Sequence, residues 1–206
     1  MPSLKNLGIY LDSLVTILAE LNLPVIWITP AGMIIKLSTV KMKEIQTKIN
    51  LIDKGRNKVT ISLPTKKLNI RKIKTSLMPN LIHSLDACNI HLLVQELLDG
   101  DFNLPLYTIH DCFASTPNNI FILERFIKRT FLKIYFEIEY LEEMHNNILR
   151  QITSYLKEEI IEKDGLKYFK LNNNLIPVPE IPETFLDKRK NTTFIQGLLN
   201  SKYFIG

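Results

Sequence analysis

Two stretches near the middle of the chain decide its fold: MPNLIHSLDACNIHLLVQELLDG, residues 78–100, and LYTIHDCFAST, residues 106–116. The first has leucines at helical spacing between a proline and a glycine, which predicts a helix from Pro79 to about Asp99 that stops at Gly100. The second has β-prone residues on both sides of a His-Asp pair, which predicts a tight strand–turn–strand. These two elements carry most of the candidate functional residues.

The N-terminal side of this region predicts a helix and a strand pair. Residues 4–21 have apolar side chains at helical spacing. Residues 25–29 and 33–35 are rich in β-prone residues, and the Pro-Ala-Gly between them is typical of a turn. A helix followed by strand, turn and strand is therefore expected before residue 36.

The C-terminal side is predicted to be helical at first and extended later. Residues 118–162 show helical periodicity, with a break between two helices expected near 139–143. Residues 170–184 contain three prolines, which favours an extended, polyproline-like connector. Residues 194–206 form an aromatic tail. Helices combined with antiparallel strand pairs predict a helix-rich α+β fold.

The charge is concentrated in one stretch. Residues 36–74 hold twelve basic side chains against Glu44 and Asp53, a net charge of +10, whereas the remaining residues hold 14 basic and 19 acidic groups. This stretch is expected to be a long, irregular basic connector, a kind of segment that is often functional. A localised positive charge favours a polyanion partner, and a solvated basic loop fits the charge equally well.

The two cysteines, Cys88 and Cys112, are too few for a disulfide scaffold or a cysteine-based zinc site. Two thiols in a reducing compartment are the expected state, although the sequence leaves a single bridge open. No segment is long and apolar enough to span a membrane, and neither a signal peptide nor an arginine-rich leader is present. Lys outnumbers Arg by 20 to 6, a bias typical of AT-rich genes in organelles or plasmids.

His83 and Asp86 lie three residues apart on the predicted helix and therefore share a face. The opposite face is apolar and consists of Leu81, Leu85, Cys88 and Leu92. A locally satisfied His–Asp pair is the common explanation of such a pattern, and a polar cleft beside the helix is the alternative. His91 and His145 are expected to be ordinary surface or helix residues.

His110 and Asp111 form the turn of the predicted strand pair. A carboxylate at an exposed turn is accessible to a hard cation such as Mg²⁺. Taken alone, however, the pair favours an aspartate that caps its own backbone.

Considered together, residues 78–87 and 107–113 resemble the single-subunit DNA-directed RNA polymerases of phages, mitochondria and linear mitochondrial plasmids. In that family a Pro-Asn-Phe-(Ile/Val)-His-Ser-x-Asp helix precedes a strand–turn–strand with His-Asp. Residues 27–32, Trp-Ile-Thr-Pro-Ala-Gly, and residues 45–51, Ile-Gln-Thr-Lys-Ile-Asn-Leu, are similar to two further motifs of the family. Leu81 departs from the pattern, which usually has Phe there.

The resemblance implies a right-hand polymerase fold, of which this chain would be the C-terminal palm and fingers portion. Residues 36–74 would be a basic connector, residues 78–116 the palm helix and hairpin, and residues 117–206 the C-terminal helices and tail. It also implies that Asp111 is the second metal-binding catalytic aspartate, which holds Mg²⁺.

Further site residues and partners are implied in the same way. His83, His110 and Asp86 would lie near the incoming nucleotide and the growing RNA end, where the ribose is sensed. The partners would be a DNA template, the RNA product, nucleoside triphosphates and no membrane, with a mitochondrial location. Residues expected to contact the nucleic-acid backbone are Lys54, Arg56, Lys58, Lys66, Lys67, Arg71, Lys72 and Lys74.

Nothing in the sequence matches the family's first catalytic aspartate or its lysine-bearing fingers helix. We therefore expect the chain alone to be inactive and to need an upstream polymerase fragment. A non-catalytic, nucleic-acid-binding remnant of such a polymerase is the alternative. A family A DNA polymerase is disfavoured, because its His-Asp is usually followed by Glu, whereas Cys112 follows here.

Overall fold

The computed structural model describes residues 2–48, 58–102, 104–109, 112–137, 139–157, 160–163, 165–171, 174–183 and 192–201. Within them the helices are α1 (Pro2–Glu20), α2 (Ile70–Asp99), α3 (Ile120–Leu132), α4 (Tyr140–Leu156) and α5 (Thr192–Asn200). The strands are β1 (Val25–Ile28), β2 (Ile34–Leu37), β3 (Val40–Lys48), β4 (Lys58–Leu68), β5 (Tyr107–Ile109), β6 (Cys112–Ala114), β7 (Ile161–Lys163), β8 (Leu166–Leu171) and β9 (Asn174–Pro177). All strand pairs are antiparallel. The predicted helix-rich α+β class is confirmed.

The main hydrophobic core is built by α1, α2 and α4 around the strand β1. Helix α1 buries a stripe at helical spacing, of which Leu14 and Leu18 are fully inaccessible. Trp27 of β1 is also fully inaccessible and lies in the same cluster as the buried side of α2 and α4. The helix and the strand pair predicted before residue 36 are thus confirmed.

Helix α2 begins earlier than predicted. It starts at Ile70, with the Asn69 side chain accepting a hydrogen bond from the backbone N–H of Lys72 at 3.2 Å, so Pro79 lies inside the helix and does not open it. A proline inside a helix costs one backbone hydrogen bond and about 3 kcal/mol. Ile73 and Leu77, one and two turns from the new start, are buried in the core. Their burial outweighs the proline, which is why the helix is continuous.

The end of α2 agrees with the prediction, but for a different reason. Gly100 has an ordinary negative φ, and the left-handed conformation is taken by Asp101 at φ 53°. The ring of Phe102 approaches Gly100 so closely that a Cβ there would lie 2.7 Å from a ring carbon. Glycine is thus needed for space at this turn.

The last turns of α2 build a second, smaller core with α3. Leu93 and Leu97 of α2 pack there against Leu123 and Ile127 of α3, and Phe113 of β6 packs against this cluster. The β5–β6 hairpin, predicted over residues 104–116, is confirmed at Tyr107–Ala114. Through Phe113, the hairpin packs against the last turns of α2, the same helix that carries His83 and Asp86.

The prediction of an irregular connector over residues 36–74 is wrong. Most of that stretch is the long hairpin of β3 and β4, which pair from Val40 with Leu68 to Lys48 with Lys58. A bulge near its base brings the Thr65 hydroxyl to the Lys41 carbonyl, to which it donates at 2.8 Å. Lysines between the β-prone pieces interrupt the alternation of apolar and polar residues along the sequence. The two strands are therefore recognised only from their cross-strand pairing.

The region after residue 117 contains more strand than predicted. The helical part ends at Leu156, where Lys157 takes a left-handed conformation, and residues 161–163 form β7 rather than the end of a helix. The break between α3 and α4 lies close to the predicted place. Within the predicted extended connector, residues 174–177 form β9, which pairs with β8. Residues 192–200, which include the start of the predicted tail, form α5.

Candidate functional site

The exposed face of α2 carries the two residues that the sequence placed together. His83 and Asp86 are both exposed, while Leu81, Leu85, Cys88 and Leu92 are buried, as predicted. The Asp86 side chain, although exposed, has an interaction partner in the structure. His91 is exposed, in line with its expected surface role. Helix α2 therefore presents a polar, accessible face opposite its core face.

Tyr135 lies beside this face and was missed by the sequence reasoning. It belongs to a π-helical turn, Lys133–Glu137, that follows α3. Burial, with smaller contributions from the nearby Asp86 and Cys88, raises the pKa of Tyr135 to about 12. Because π-turns add a residue to the helical repeat and are frequent at functional sites, a 3.6-residue periodicity could not have revealed this position.

The β5–β6 hairpin surrounds the predicted catalytic pair. Tyr107 pairs with Ala114 and Ile109 pairs with Cys112, so the register leaves only residues 110–111 between the strands. His110 and Asp111 themselves lie outside the described residues. The strand ends on both sides are solvent-exposed, with Ile109 73% accessible. The prediction that the His-Asp pair occupies a tight strand–turn–strand agrees with this register.

The described residues provide no complete metal site of their own. Among them, no three His, Cys, Asp or Glu side chains come together as potential ligands. Cys88 is buried in α2 and Cys112 is exposed on β6, and both are thiols rather than a disulfide. A carboxylate in the two-residue turn fits Mg²⁺ as a hard oxygen ligand, but as one ligand among several.

The basic residues of 36–74 fall into two groups rather than a continuous stripe. The first group lies towards the end of the long hairpin that meets α2 and is exposed, except for the half-buried Lys74: Lys41, Lys43, Lys66, Lys67, Arg71, Lys72 and Lys74. Lys36 lies apart from it on β2. Lys58 begins β4 at the far end, next to Lys54 and Arg56, which lie outside the described residues. The described strand residues 44–47 and 59–65 contain no Lys or Arg. Lys48 pairs with Lys58 at that far end, so the stretch of β3 without basic side chains runs from Lys43 to Lys48, about 17 Å of strand.

Between these charged ends the long hairpin has one apolar face that is open to solvent. Ile45 pairs with Ile61, and the neighbouring Val59 and Leu63 share that face because side chains alternate along a strand. Thr47, opposite Val59, and Lys43, opposite Leu63, border this apolar strip. The four apolar side chains are 37–46% accessible. An isolated two-stranded hairpin is marginally stable, and an exposed apolar strip of this kind is typical of a surface that packs against further protein.

His145 has a structural role in the described residues. Its Nδ1 lies 2.9 Å from the Tyr10 hydroxyl, which links α4 to α1. Burial lowers the pKa of His145, and the positive charge of Lys167 lowers it further. The expectation that His145 is an ordinary helix residue is thus consistent with its place in the core.

Comparison with known proteins places this arrangement in a family. Residues 8–177 match the sequence profile of DNA-dependent RNA polymerases. That match includes α2, the β5–β6 hairpin and the long β3–β4 hairpin, which precedes α2 in the chain. The chain therefore belongs to the DNA-dependent RNA polymerase family.

Particular relatives are found in fungi and in mitochondria. The chain is 39% identical to a probable DNA-directed RNA polymerase of Agaricus bitorquis, in a match that covers 100% of this chain and 21% of that protein. It is 31% identical to a similarly described protein of Neurospora crassa, over 99% of this chain and 23% of the relative. The mitochondrial DNA-directed RNA polymerase of Mus musculus is 24% identical over 95% of this chain.

The chain spans about a fifth of the length of the two fungal relatives. Among the described residues, no helix combines the length and the apolar character that crossing a bilayer requires.

Proposed function

We propose that this chain is the C-terminal palm and fingers portion of a single-subunit, right-hand DNA-directed RNA polymerase. The observation that carries the proposal is the family match over residues 8–177, within which a two-residue hairpin register surrounds His110-Asp111. The reaction is nucleotidyl transfer on a DNA template, with nucleoside triphosphates as substrates and RNA as product.

In this proposal Asp111 is the second of two catalytic aspartates and would hold Mg²⁺. Mg²⁺ would supply positive charge that stabilises the attacking and leaving oxygens of the transfer. The described strands on either side are paired up to Ile109 and Cys112, directly next to these two residues in the sequence. The first aspartate and the fingers lysine have no match in this sequence, so the remaining ligands would come from the rest of the polymerase.

His83 and Asp86 would face the incoming nucleotide and the RNA end. Both side chains are exposed on one side of a helix whose other side is buried in the core. In the whole polymerase this exposed side would face the nucleotide cleft. His83 can donate a hydrogen bond to a ribose hydroxyl. Tyr135 lies near Asp86 and would border the same cleft.

The two basic groups of the long hairpin would contact the nucleic-acid backbone. Phosphate contacts by Lys and Arg release counterions, so such binding weakens as salt rises. The separation of the groups suggests contacts at both ends of the hairpin, whereas the apolar middle would pack against the remainder of the polymerase. The mitochondrial relatives and the Lys-rich composition support a gene carried in a mitochondrion or on a plasmid.

A chimera tests the proposal. Residues 1–206 replace the matching region of the Agaricus bitorquis relative, and transcript is measured on a DNA template with ribonucleotides and Mg²⁺. We expect RNA synthesis by the chimera and none by the 206-residue chain alone. A chimera that makes no RNA, together with salt-dependent nucleic-acid binding by the chain, would instead support the non-catalytic remnant.

A further inference from the structure

The motif around Trp27 is bonded directly to the motif around His83. The indole Nε1 of Trp27 donates a hydrogen bond to the hydroxyl of Ser84 at 3.0 Å, and both residues are buried. The Ser84 hydroxyl in turn donates to the Leu81 carbonyl at 2.7 Å. Ser84 is the immediate neighbour of His83, so this contact fixes α2 at the level of the candidate site.

A second contact from the same strand pair lies one turn further along α2. The backbone of Ala31 and the side chain of Thr29 lie close to Cys88: burial raises the pKa of this thiol, and hydrogen bonding from these two groups lowers it. Thr29 is 3% accessible, and its backbone N–H donates to the Met33 carbonyl at 2.9 Å, which closes the turn between β1 and β2. The Trp-Ile-Thr-Pro-Ala-Gly motif thus contacts two successive turns of the buried α2 face.

Helix α3 supplies a third polar contact to this part of α2. The hydroxyl of Thr130 donates to Asn89 Oδ1 at 2.6 Å, and Thr130 is fully inaccessible. Buried polar groups are costly when unpaired and therefore favour the one arrangement in which all are satisfied. The rest of the buried α2 face is mainly leucine, and apolar packing of that kind tolerates rearrangement more readily.

These contacts determine how α2 is rotated. His83 and Asp86 lie on the face opposite Ser84 and Cys88, so a rotation of the helix would move them away from the cleft while still burying leucines. We propose that Trp27 and Ser84 are positioning residues, whose buried hydrogen bond sets the rotation of α2 and so the direction in which His83 and Asp86 face. The consequence for nucleotide selection rests on the proposed function.

The first test measures the position of His83 in the 206-residue chain. Ser84→Ala removes the acceptor of Trp27, and NMR records the ring C–H signals of His83, assigned with His83→Gln. The matched control is Ser76→Ala, which removes a serine hydroxyl that donates to the Lys72 carbonyl at 2.7 Å on the same helix, two turns earlier. Emission of Trp27, the only tryptophan, reports the broken bond.

We expect Ser84→Ala to shift the His83 signals, and Ser76→Ala and the hydroxyl-retaining Ser84→Thr to leave them in place. If Ser84→Ala does not fold, Trp27→Phe replaces it, because the phenyl ring keeps an aromatic side chain in the core and lacks the N–H donor. The double variant should behave like either single variant, since both remove one bond. Unchanged His83 signals in folded Ser84→Ala with altered Trp27 emission, or in folded Trp27→Phe, would overturn the inference.

The second test uses the chimera and measures the preference for ribonucleotides over deoxyribonucleotides as a ratio of kcat/KM values. A merely destabilised enzyme has fewer active molecules, which leaves this ratio unchanged. We expect Ser84→Ala to lower it about tenfold, within the hundredfold that a 1 Å misplacement can cost. A fall in total activity at constant ratio contradicts the positioning role. If the unmodified chimera makes no RNA, the proposed function fails, and the His83 signals still decide the positioning inference.

Discussion

The core side of α2 is buried, whereas the long β3–β4 hairpin of the same chain is largely exposed to solvent. The middle of α2 is surrounded by apolar side chains and by three buried polar contacts, including the bond from Trp27 to Ser84. The long hairpin is exposed on both faces along most of its length. The comparison indicates that this chain contains within itself what positions His83 and Asp86, whereas we expect the exposed basic hairpin to need contacts outside this chain.

A pair of isoleucine truncations gives the largest expected contrast. Ile73 is 1% accessible in α2 and Ile61 is 46% accessible in β4. Ile73→Ala removes buried methyl groups and leaves a cavity, so it should lower the free energy of unfolding by about 2–5 kcal/mol. Ile61→Ala should change it by less than about 0.5 kcal/mol. Urea unfolding measures both, and equal losses would contradict the division between the two regions.

Thr130→Val tests the polar contacts of α2 separately from its apolar ones. The valine keeps the shape of threonine but leaves Asn89 Oδ1 without its buried donor, so we expect a loss of about 1–3 kcal/mol in the free energy of unfolding. Thr75→Val is the matched control, because Thr75 is exposed and bonds only carbonyls of its own helix. A loss no greater than that of the control would mean that the buried bond does not fix the helix.

A salt titration of nucleic-acid binding tests whether the basic residues of the long hairpin contact phosphate. Replacing both Lys66 and Lys67 by Gln should reduce the slope of log affinity against log salt by about 2, if each neutralises one phosphate. The control replaces Lys163 and Lys170, which are exposed lysines outside the basic groups. Equal slope changes in the two double variants would show a general charge effect and not a site.

The smallest effect expected is on the pH dependence of the core. Since burial lowers the pKa of His145 in the folded chain, the unfolded chain binds that proton more readily. Stability is therefore full above the unfolded pKa of about 6.5 and falls as the pH drops towards the lower folded value. His145→Gln should flatten this dependence in unfolding measurements between about pH 7.5 and 5.5, whereas His91→Gln at an exposed position should not. If the two variants showed the same dependence of stability on pH, the assigned role of His145 would be contradicted.

Periodicity and turn residues predicted α1, the first strand pair and the β5–β6 hairpin, because those signals are local. They failed at Pro79, where the burial of Ile73 and Leu77, within the two turns before it, outweighs a proline that alone favours a helix start. They also failed over residues 36–74, since lysines along β3 and β4 obscure a pattern that depends on cross-strand pairing.

The candidate site divides in the same way. His83 and Asp86 could be placed on one face of the helix from their spacing. The prediction that the opposite, leucine-rich face is buried was confirmed. Tyr135 could not, because a π-turn changes the helical repeat. The bond between Trp27 and Ser84 joins residues 57 positions apart in the chain, a distance at which periodicity carries no information.

The central claim is that Asp111 belongs to a polymerase active site, and one substitution tests it most directly. In the chimera, Asp111→Asn keeps the size of the side chain and removes its charge, while Asp12→Asn makes the same change at an exposed position of α1. We predict that Asp111→Asn lowers the rate of RNA synthesis on the order of 100- to 1,000-fold, the range for loss of one electrostatic contact to developing charge, and that Asp12→Asn leaves it unchanged. RNA synthesis by the Asp111→Asn chimera at the unmodified rate would contradict the account.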